Sequence, residues 1–377
     1  MVFSLFRQMS RGACVVVLAA VLTACSGPSK PVPKELGANI GLIGVKTAWT
    51  AQVGLVESSA QPRVVGSQVL LASANGTLTA LQGETGRVAW QLNVGAPLVS
   101  GVGGDGQIAA VMSEAGELIA VSSGKVLWKQ RLGALSLTAP LVAGARIFTL
   151  SADRTVTAFD AASGQRLWQL QRSADPLVLG QAGVLLAVGD TLVVGVAGRL
   201  LGLNPLNGTL RWEAPVAVSR GTNEVERLVD LVAGVSRMQS SVCVRSYQAA
   251  VACVDAVKGT MAWNKSAAGT TGLGGDAEYV FGTEADSKLI AWSRSSGERL
   301  WMSEALRWRG LGTPLVIGQN LVVGDNLGVL HFLSRTDGAP MDRANTDGSA
   351  ILGAPVLVGK TLIAVTQKGG VFAFRPE

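Results

Sequence analysis

A glycine followed four residues later by a tryptophan occurs at Gly86/Trp90, Gly124/Trp128, Gly164/Trp168, Gly208/Trp212, Gly259/Trp263 and Gly297/Trp301. A seventh copy, Gly338/Asp342, keeps the glycine and has lost the tryptophan. Trp49 stands in phase ahead of the series without a glycine of its own. Successive members lie 38 to 51 residues apart. Self-similarity at such a period means that one supersecondary unit is stacked many times over. Only Trp292 and Trp308 fall outside the phase.

Each unit reads the same way. A start such as APLV at Ala96 or Ala139, TPLV at Thr313 or APVL at Ala354 leads into a Val/Ile/Leu run. A turn follows (SANG at Ser73, DNLG at Asp325), then an alternating run such as TLTAL at Thr77 or TVTAF at Thr155. A second turn holds the glycine, and a last run ends on the tryptophan. Four short strands of period two, with turns at every junction, make one propeller blade per unit. The 47 glycines and only 15% charged residues fit many strands joined by tight turns. The glycine suits a turn residue with positive φ, which only glycine adopts cheaply. The tryptophan suits the space between blades, with its N–H directed at a backbone acceptor.

Counting from Trp49 to Asp342 gives seven full units. After Asp342, GAPVLVGKTLIAVTQKGGVFAF supplies three more strands and no fourth, whereas GVKTAW at the start is a fourth strand without a blade. Pairing the two closes the ring and removes an exposed edge. The expected fold is therefore all-β: an eight-bladed propeller of four-stranded antiparallel blades over residues 41–377, its last blade closed by the N-terminal strand.

Residues 1–24 read as a signal peptide, with Arg7 and Arg11 before an apolar run too short for a stable transmembrane span. LTAC, ending at Cys25, resembles a lipobox, and that resemblance implies cleavage before Cys25 and acylation of it. Ser26 in place of Asp favours, by the same resemblance, the outer membrane over the inner one. Residues 25–40 then form a lipidated tether, whose several acyl chains suffice for stable anchoring. With both leader arginines removed, the formal charge falls from +6 to about +4. No basic run interleaved with aromatics appears, which argues against nucleic acid.

The cysteines are Cys14, Cys25, Cys243 and Cys253. The last two flank the turn SYQA. If Ser246 pairs with Ala250, Cys243 falls opposite Cys253, where a cross-strand disulfide can form in an oxidising compartment. Two free buried thiols are the alternative. The widest spacing between tryptophans, Trp212 to Trp263, comes mostly from RGTNEVERLVDL, residues 220–231. An insertion that the blade does not need is a candidate binding loop.

The repeats resemble those of quinoprotein propellers. Taken with the lipobox, the length and the eight units, the chain resembles the BamB family, lipoproteins of the outer-membrane β-barrel assembly machine. The resemblance spans essentially the whole mature chain, and its most specific stretch is the 220–231 loop. It implies a scaffold without cofactor that docks on the periplasmic POTRA domains of BamA. The other Bam lipoproteins would be met indirectly, and unfolded outer-membrane proteins are possible clients. The implied docking residues are Glu224, Val225, Arg227, Leu228 and Asp230 in that loop, with Leu170 and Arg172 from QLQRSADP on a neighbouring blade. The family has a second Asp two residues beyond Asp230; this chain has Val232.

Two other readings stay open. The quinoprotein relatives that are dehydrogenases are similar to one another in an adjacent Cys-Cys pair, a Ca²⁺ held by Glu, Asn and Asp, and a catalytic Asp. This chain has no adjacent cysteines and a single histidine, His331, which leaves no His-rich metal site and makes a Ser-His-Asp triad depend wholly on that residue. The other is an envelope propeller that binds glycan or protein, with Trp292 and Trp308 as platforms; LRWRGLG around Trp308 can equally be a cap on the ring.

Overall fold

The computed structural model describes residues 31–57, 61–172, 177–219 and 227–376. The chain divides into a short unit, Met1–Pro33, and a compact one, Lys34–Glu377. The compact unit holds eight four-stranded antiparallel sheets. Blade 1 comprises Arg63–Val65, Gln68–Ala72, Thr77–Gln82 and Val88–Asn93. Blades 2 to 7 follow in chain order. Blade 8 comprises Val356–Val358, Thr361–Val365 and Gly370–Pro376, and takes its outer strand from Val45–Gln52, paired from Val45↔Pro376 to Gln52↔Gly370. The ring is closed as the orphan strands required.

The burial of each strand follows from its place in the blade. The first strands line the axis, where those of neighbouring blades meet. The second and third are covered on both faces by adjacent blades, so they are continuous apolar runs such as Thr191–Val196 and Thr361–Val365, both wholly buried. The fourth strands are half exposed and alternate: in Arg166–Gln171 only Trp168 and Leu170 turn inward. Eight hydrophobic clusters result, one at each seam.

The glycine and the tryptophan of the repeat meet across these seams. Every repeat tryptophan except Trp90 lies against the glycine of the next blade. A Cβ on Gly86 would come within 2.5 Å of the Trp49 ring, and one on Gly164, Gly208, Gly259, Gly297 or Gly338 within 2.4–2.6 Å of the preceding tryptophan. The indole N–H then donates to the carbonyl three residues before that glycine: Trp49 to Gly83 (3.1 Å), Trp128 to Ala161 (2.9 Å), Trp168 to Pro205 (3.0 Å), Trp212 to Ala256 (3.0 Å), Trp263 to Arg294 (2.7 Å) and Trp301 to Arg335 (3.0 Å). All seven repeat glycines have φ between +69° and +74°. Thus glycine is required twice over, by the turn and by the indole lying on it.

Asp342, in the tryptophan's phase, has no following glycine turn to cover, because blade 8 ends in the C-terminal strand. It receives the incoming N-terminal segment instead. The Asn39 amide donates to it (2.8 Å), as do the Arg343 N–H (2.8 Å) and the N–H groups of Gly44 and Val45. Burial pushes the pKa of this carboxyl up, and those donors more than offset it, holding it below the usual value. The segment before the closing strand is bound along the same blades, with Lys34 N–H on Arg307 O (2.9 Å) and Leu42 N–H on Met341 O (3.0 Å).

In blade 5, Ser246 pairs with Ala250 and Cys243 with Cys253. The two cysteine Cα atoms are 4.0 Å apart and their sulfurs form a disulfide, wholly buried.

Two outcomes are expected. Gly124→Ala meets no indole, since Trp90 Cβ is 3.9 Å away, so its cost is the positive-φ strain, about 1–2 kcal/mol. Gly259→Ala must also displace Trp212, at about 1–3 kcal/mol more. Urea unfolding of both variants separates the two effects; equal midpoints would mean that the indole contact does not hold the seams. In a soluble form lacking residues 1–25, no thiol should react until reductant is added, after which two react on unfolding. Replacing both cysteines by alanine should cost about 2–3 kcal/mol for this short loop.

Candidate functional site

The expected docking residues come from two connections, one leaving blade 3 and one leaving blade 4. Leu170 closes the outer strand of blade 3, half-buried against the cluster of Phe148 and Leu192. Arg172 follows it and reaches across the seam, Nη2 to Glu213 Oε2 at 2.7 Å. Glu213 is the residue after Trp212 on the outer strand of blade 4, and its other oxygen takes Arg199 Nη1, also at 2.7 Å. A carboxylate bridging two guanidiniums fixes both cations in place.

The long loop between blades 4 and 5 is described from Arg227 onward; Glu224 and Val225 lie outside the described residues, as does Cys25. Arg227, Leu228 and Asp230 line the same groove as Arg172. It has a volume of about 570 Å³ and is further lined by Arg154, Leu177, Val196, Arg199, Leu201 and Glu213. Two segments some fifty residues apart in sequence are thus brought to one site on one face, because they leave adjacent blades at the same end. Four arginines stand there with two carboxylates, over an aliphatic floor.

Asp230 faces inward from this groove. Its Oδ2 accepts the Leu179 N–H at 2.9 Å, its Oδ1 is 3.7 Å from Arg154 Nη2, and its backbone oxygen accepts the Tyr247 N–H at 3.0 Å. Arg154, buried at a turn with φ +63°, also donates to Leu177 O at 3.1 Å. Asp230 therefore ties the connection out of blade 3 to the entrance of blade 5. The next candidate acidic position, Val232, is inside that blade, 2% exposed and paired with Arg245. A carboxylate there would be buried, which accounts for the valine.

Arg154, Arg199 and Glu213 escaped the sequence reading. Glu213 directly follows a repeat tryptophan, and that position was the available signal. Of the two tryptophans outside the repeat phase, Trp292 is 4% exposed, between blades 5 and 6, and offers no platform: its phase on the third strand points it into the seam. Trp308 is 39% exposed, with the Arg307 guanidinium 5.4 Å above its ring. The adjacent Arg309 turns inward, donating to Asp325 at 2.7 Å and to Lys34 O at 3.1 Å, so this loop caps the seam beneath the N-terminal segment.

His331 is buried on the third strand of blade 7, Nε2 2.9 Å from Asp325 Oδ2. Burial raises the Asp325 carboxyl, but His331, the Val329 N–H and Arg309 together hold it below its usual pKa. Asp325 also accepts the Leu327 N–H, so the trio serves the turn between strands. Among the described residues no three His, Cys, Asp or Glu side chains come together as a metal site.

A family model described as outer membrane protein assembly factor BamB matches residues 74–303. The chain is 35% identical to outer membrane protein assembly factor BamB of Burkholderia pseudomallei over 98% of its length and 99% of the relative's. It is 31% identical to the protein of that description from Bordetella pertussis, over 97% of each chain. Among solved structures, BamB from Moraxella catarrhalis superposes with a TM-score of 0.80 at 26% identity, covering 88% of this chain and 99% of the other. The eight-bladed ring, the repeat and these likenesses agree, and the chain belongs to the BamB family.

Proposed function

We propose that the chain is a non-enzymatic scaffold for outer-membrane protein assembly, lipid-anchored through Cys25 on the periplasmic face of the outer membrane. In this reading it docks on the POTRA domains of BamA through the groove between blades 3 and 4. The observation that carries this reading is the convergence of Arg172 and the 227–230 segment on one groove. Arginine is favoured at the centres of interfaces, where its planar guanidinium pairs with carboxylates and its stem covers apolar surface. Glu213 holds Arg172 and Arg199 in place before any partner arrives, so less side-chain freedom is lost on binding. An acidic edge on the partner, flanked by aliphatic side chains, matches the four arginines and the Leu177, Leu201 and Leu228 floor.

Within this reading the two named anchors have different tasks. Arg172 presents a charge to the partner, and Asp230 keeps the presenting loops in position. Exposed outer strands offer a second contact, to extended segments of unfolded outer-membrane proteins by strand addition.

The test is co-purification of soluble protein, beginning at Ser26, with the POTRA region of BamA from the same organism. Arg172→Glu should weaken binding at least tenfold while lowering stability by no more than about 1 kcal/mol, the scale of losing its partly exposed ion pair with Glu213. Asp230→Ala should weaken binding and also lower stability by about 1–3 kcal/mol, because the Leu179 N–H loses its acceptor. Full binding by the folded Arg172→Glu protein would remove the groove from the interface, and absence of binding by wild type would remove the partner.

A further inference from the structure

One seam of the ring lacks its lock. Trp90, the repeat tryptophan of blade 1, is the one whose indole N–H has no acceptor among the described residues, and a Cβ on Gly124 would stand 3.9 Å from its Cβ, clear of its ring. The cause is a shortened turn in blade 2. In blade 1 the residue opposite the tryptophan, Ala80, precedes it by ten positions, and the pairs Ala158/Trp168, Gly202/Trp212, Cys253/Trp263 and Ala291/Trp301 keep that count. In blade 2 the pair is Ala120/Trp128, only eight positions apart.

Blade 2 therefore turns through Ser123 and Gly124 alone, with φ +48° and +71°, as a two-residue hairpin with positive φ at both positions does. The loop that elsewhere brings both the carbonyl and the glycine to the preceding tryptophan is two residues too short to reach Trp90. A pocket of about 560 Å³ occupies its place, walled by Trp90, Leu70, Ile108 and Val121, with Gln68 and Gln107 at its rim. That volume lies within the range of about 300–1,000 Å³ that ligand sites span. It opens among the turns that join second-to-first and fourth-to-third strands, at the opposite end of the blades from the arginine groove, so it is a separate site.

We propose that this notch is a binding site for a glycine-containing turn presented by another polypeptide. The other seams of this chain define the ligand. At six of them an indole of this phase is covered by a glycine on its face and a backbone carbonyl on its N–H, with no charged group required. Trp90 retains the indole, its phase and its packing, with Leu92 and Val65, on the buried cluster of blades 1 and 2, and lacks only the covering turn. The amides of Gln68 and Gln107, which make no side-chain hydrogen bond among the described residues, stand where an incoming backbone passes.

The probe is a disulfide-closed hairpin peptide carrying this chain's own turn, DAASGQR of residues 160–166, labelled with fluorescein and titrated against the full chain in detergent. Saturable binding read by anisotropy is expected, weakened at least tenfold by Trp90→Ala and by valine in place of the peptide's glycine. A second variant, in which that seven-residue turn replaces residues 122–126, adds the two missing residues and should fill the notch from within. It should lose peptide binding while unfolding at a higher urea concentration than wild type, so its loss of binding does not reflect misfolding. Equal affinity for the wild-type and turn-restored proteins would overturn the proposal, as would no peptide binding alongside saturable binding of a neutral oligosaccharide.

Discussion

The ring rests on an indole lying on a glycine. Each blade is a four-stranded sheet whose two middle strands are apolar on both faces, and no such sheet is stable until neighbours cover it. The tryptophan on the outer strand sets the distance and angle at which the next blade packs, because its ring must fit where a Cβ would otherwise be, and its N–H must find one particular carbonyl. A net gain of about 1 kcal/mol for such a hydrogen bond is modest beside the buried ring. What the pair adds is direction, since apolar runs alone would let the sheets slide past one another. Repetition of the contact around the axis makes the seams similar, and similar seams let eight of them close.

That constraint explains where the chain departs from its own pattern. Asp342 replaces tryptophan at the place where no glycine turn follows, and the position is reused to receive Asn39 and the N–H groups of the entering strand. Blade 2 departs in the other partner, keeping glycine and a tight turn while withdrawing the loop from Trp90. The first departure serves closure, which any ring of this construction requires. The second leaves Trp90 on the cluster of Leu70, Val94 and Val121 without the turn that covers its counterparts.

Much of this was legible in the sequence because the repeat is local. The turn glycine, the strand alternation and the tryptophan phase all lie within about forty residues, so blade count, ring closure and the opposition of Cys243 to Cys253 follow from position alone. Long-range polar partnerships were not legible. Asp230 resembles a surface acid in a charged loop, yet its partners, Leu179 N–H and Arg154, belong to other turns brought near only by the ring. Arg172 meets Glu213 across a seam, and nothing in either local pattern announces the pair. The short turn of blade 2 was hidden differently. Trp90 to Trp128 and Trp263 to Trp301 have the same spacing of 38 residues, but only in blade 2 is the shortening in the glycine turn itself.

The two ends of the propeller carry unlike surfaces, for a reason rooted in the connections. At one end the links between blades are free to vary in length without disturbing a strand, and there the chain places its long insertion and its cluster of arginines. At the other end the hairpin turns are held to fixed geometry by the indoles they cover, so variation is confined to losing a cover altogether. The groove made by added residues carries four arginines and two carboxylates on loops braced by Asp230 and Glu213. The notch made by removed residues lies where the other blades place their glycine turn, beside the indole that such a turn covers elsewhere. One repeat thus yields the two recognition surfaces proposed for the chain, one written by insertion and the other by omission.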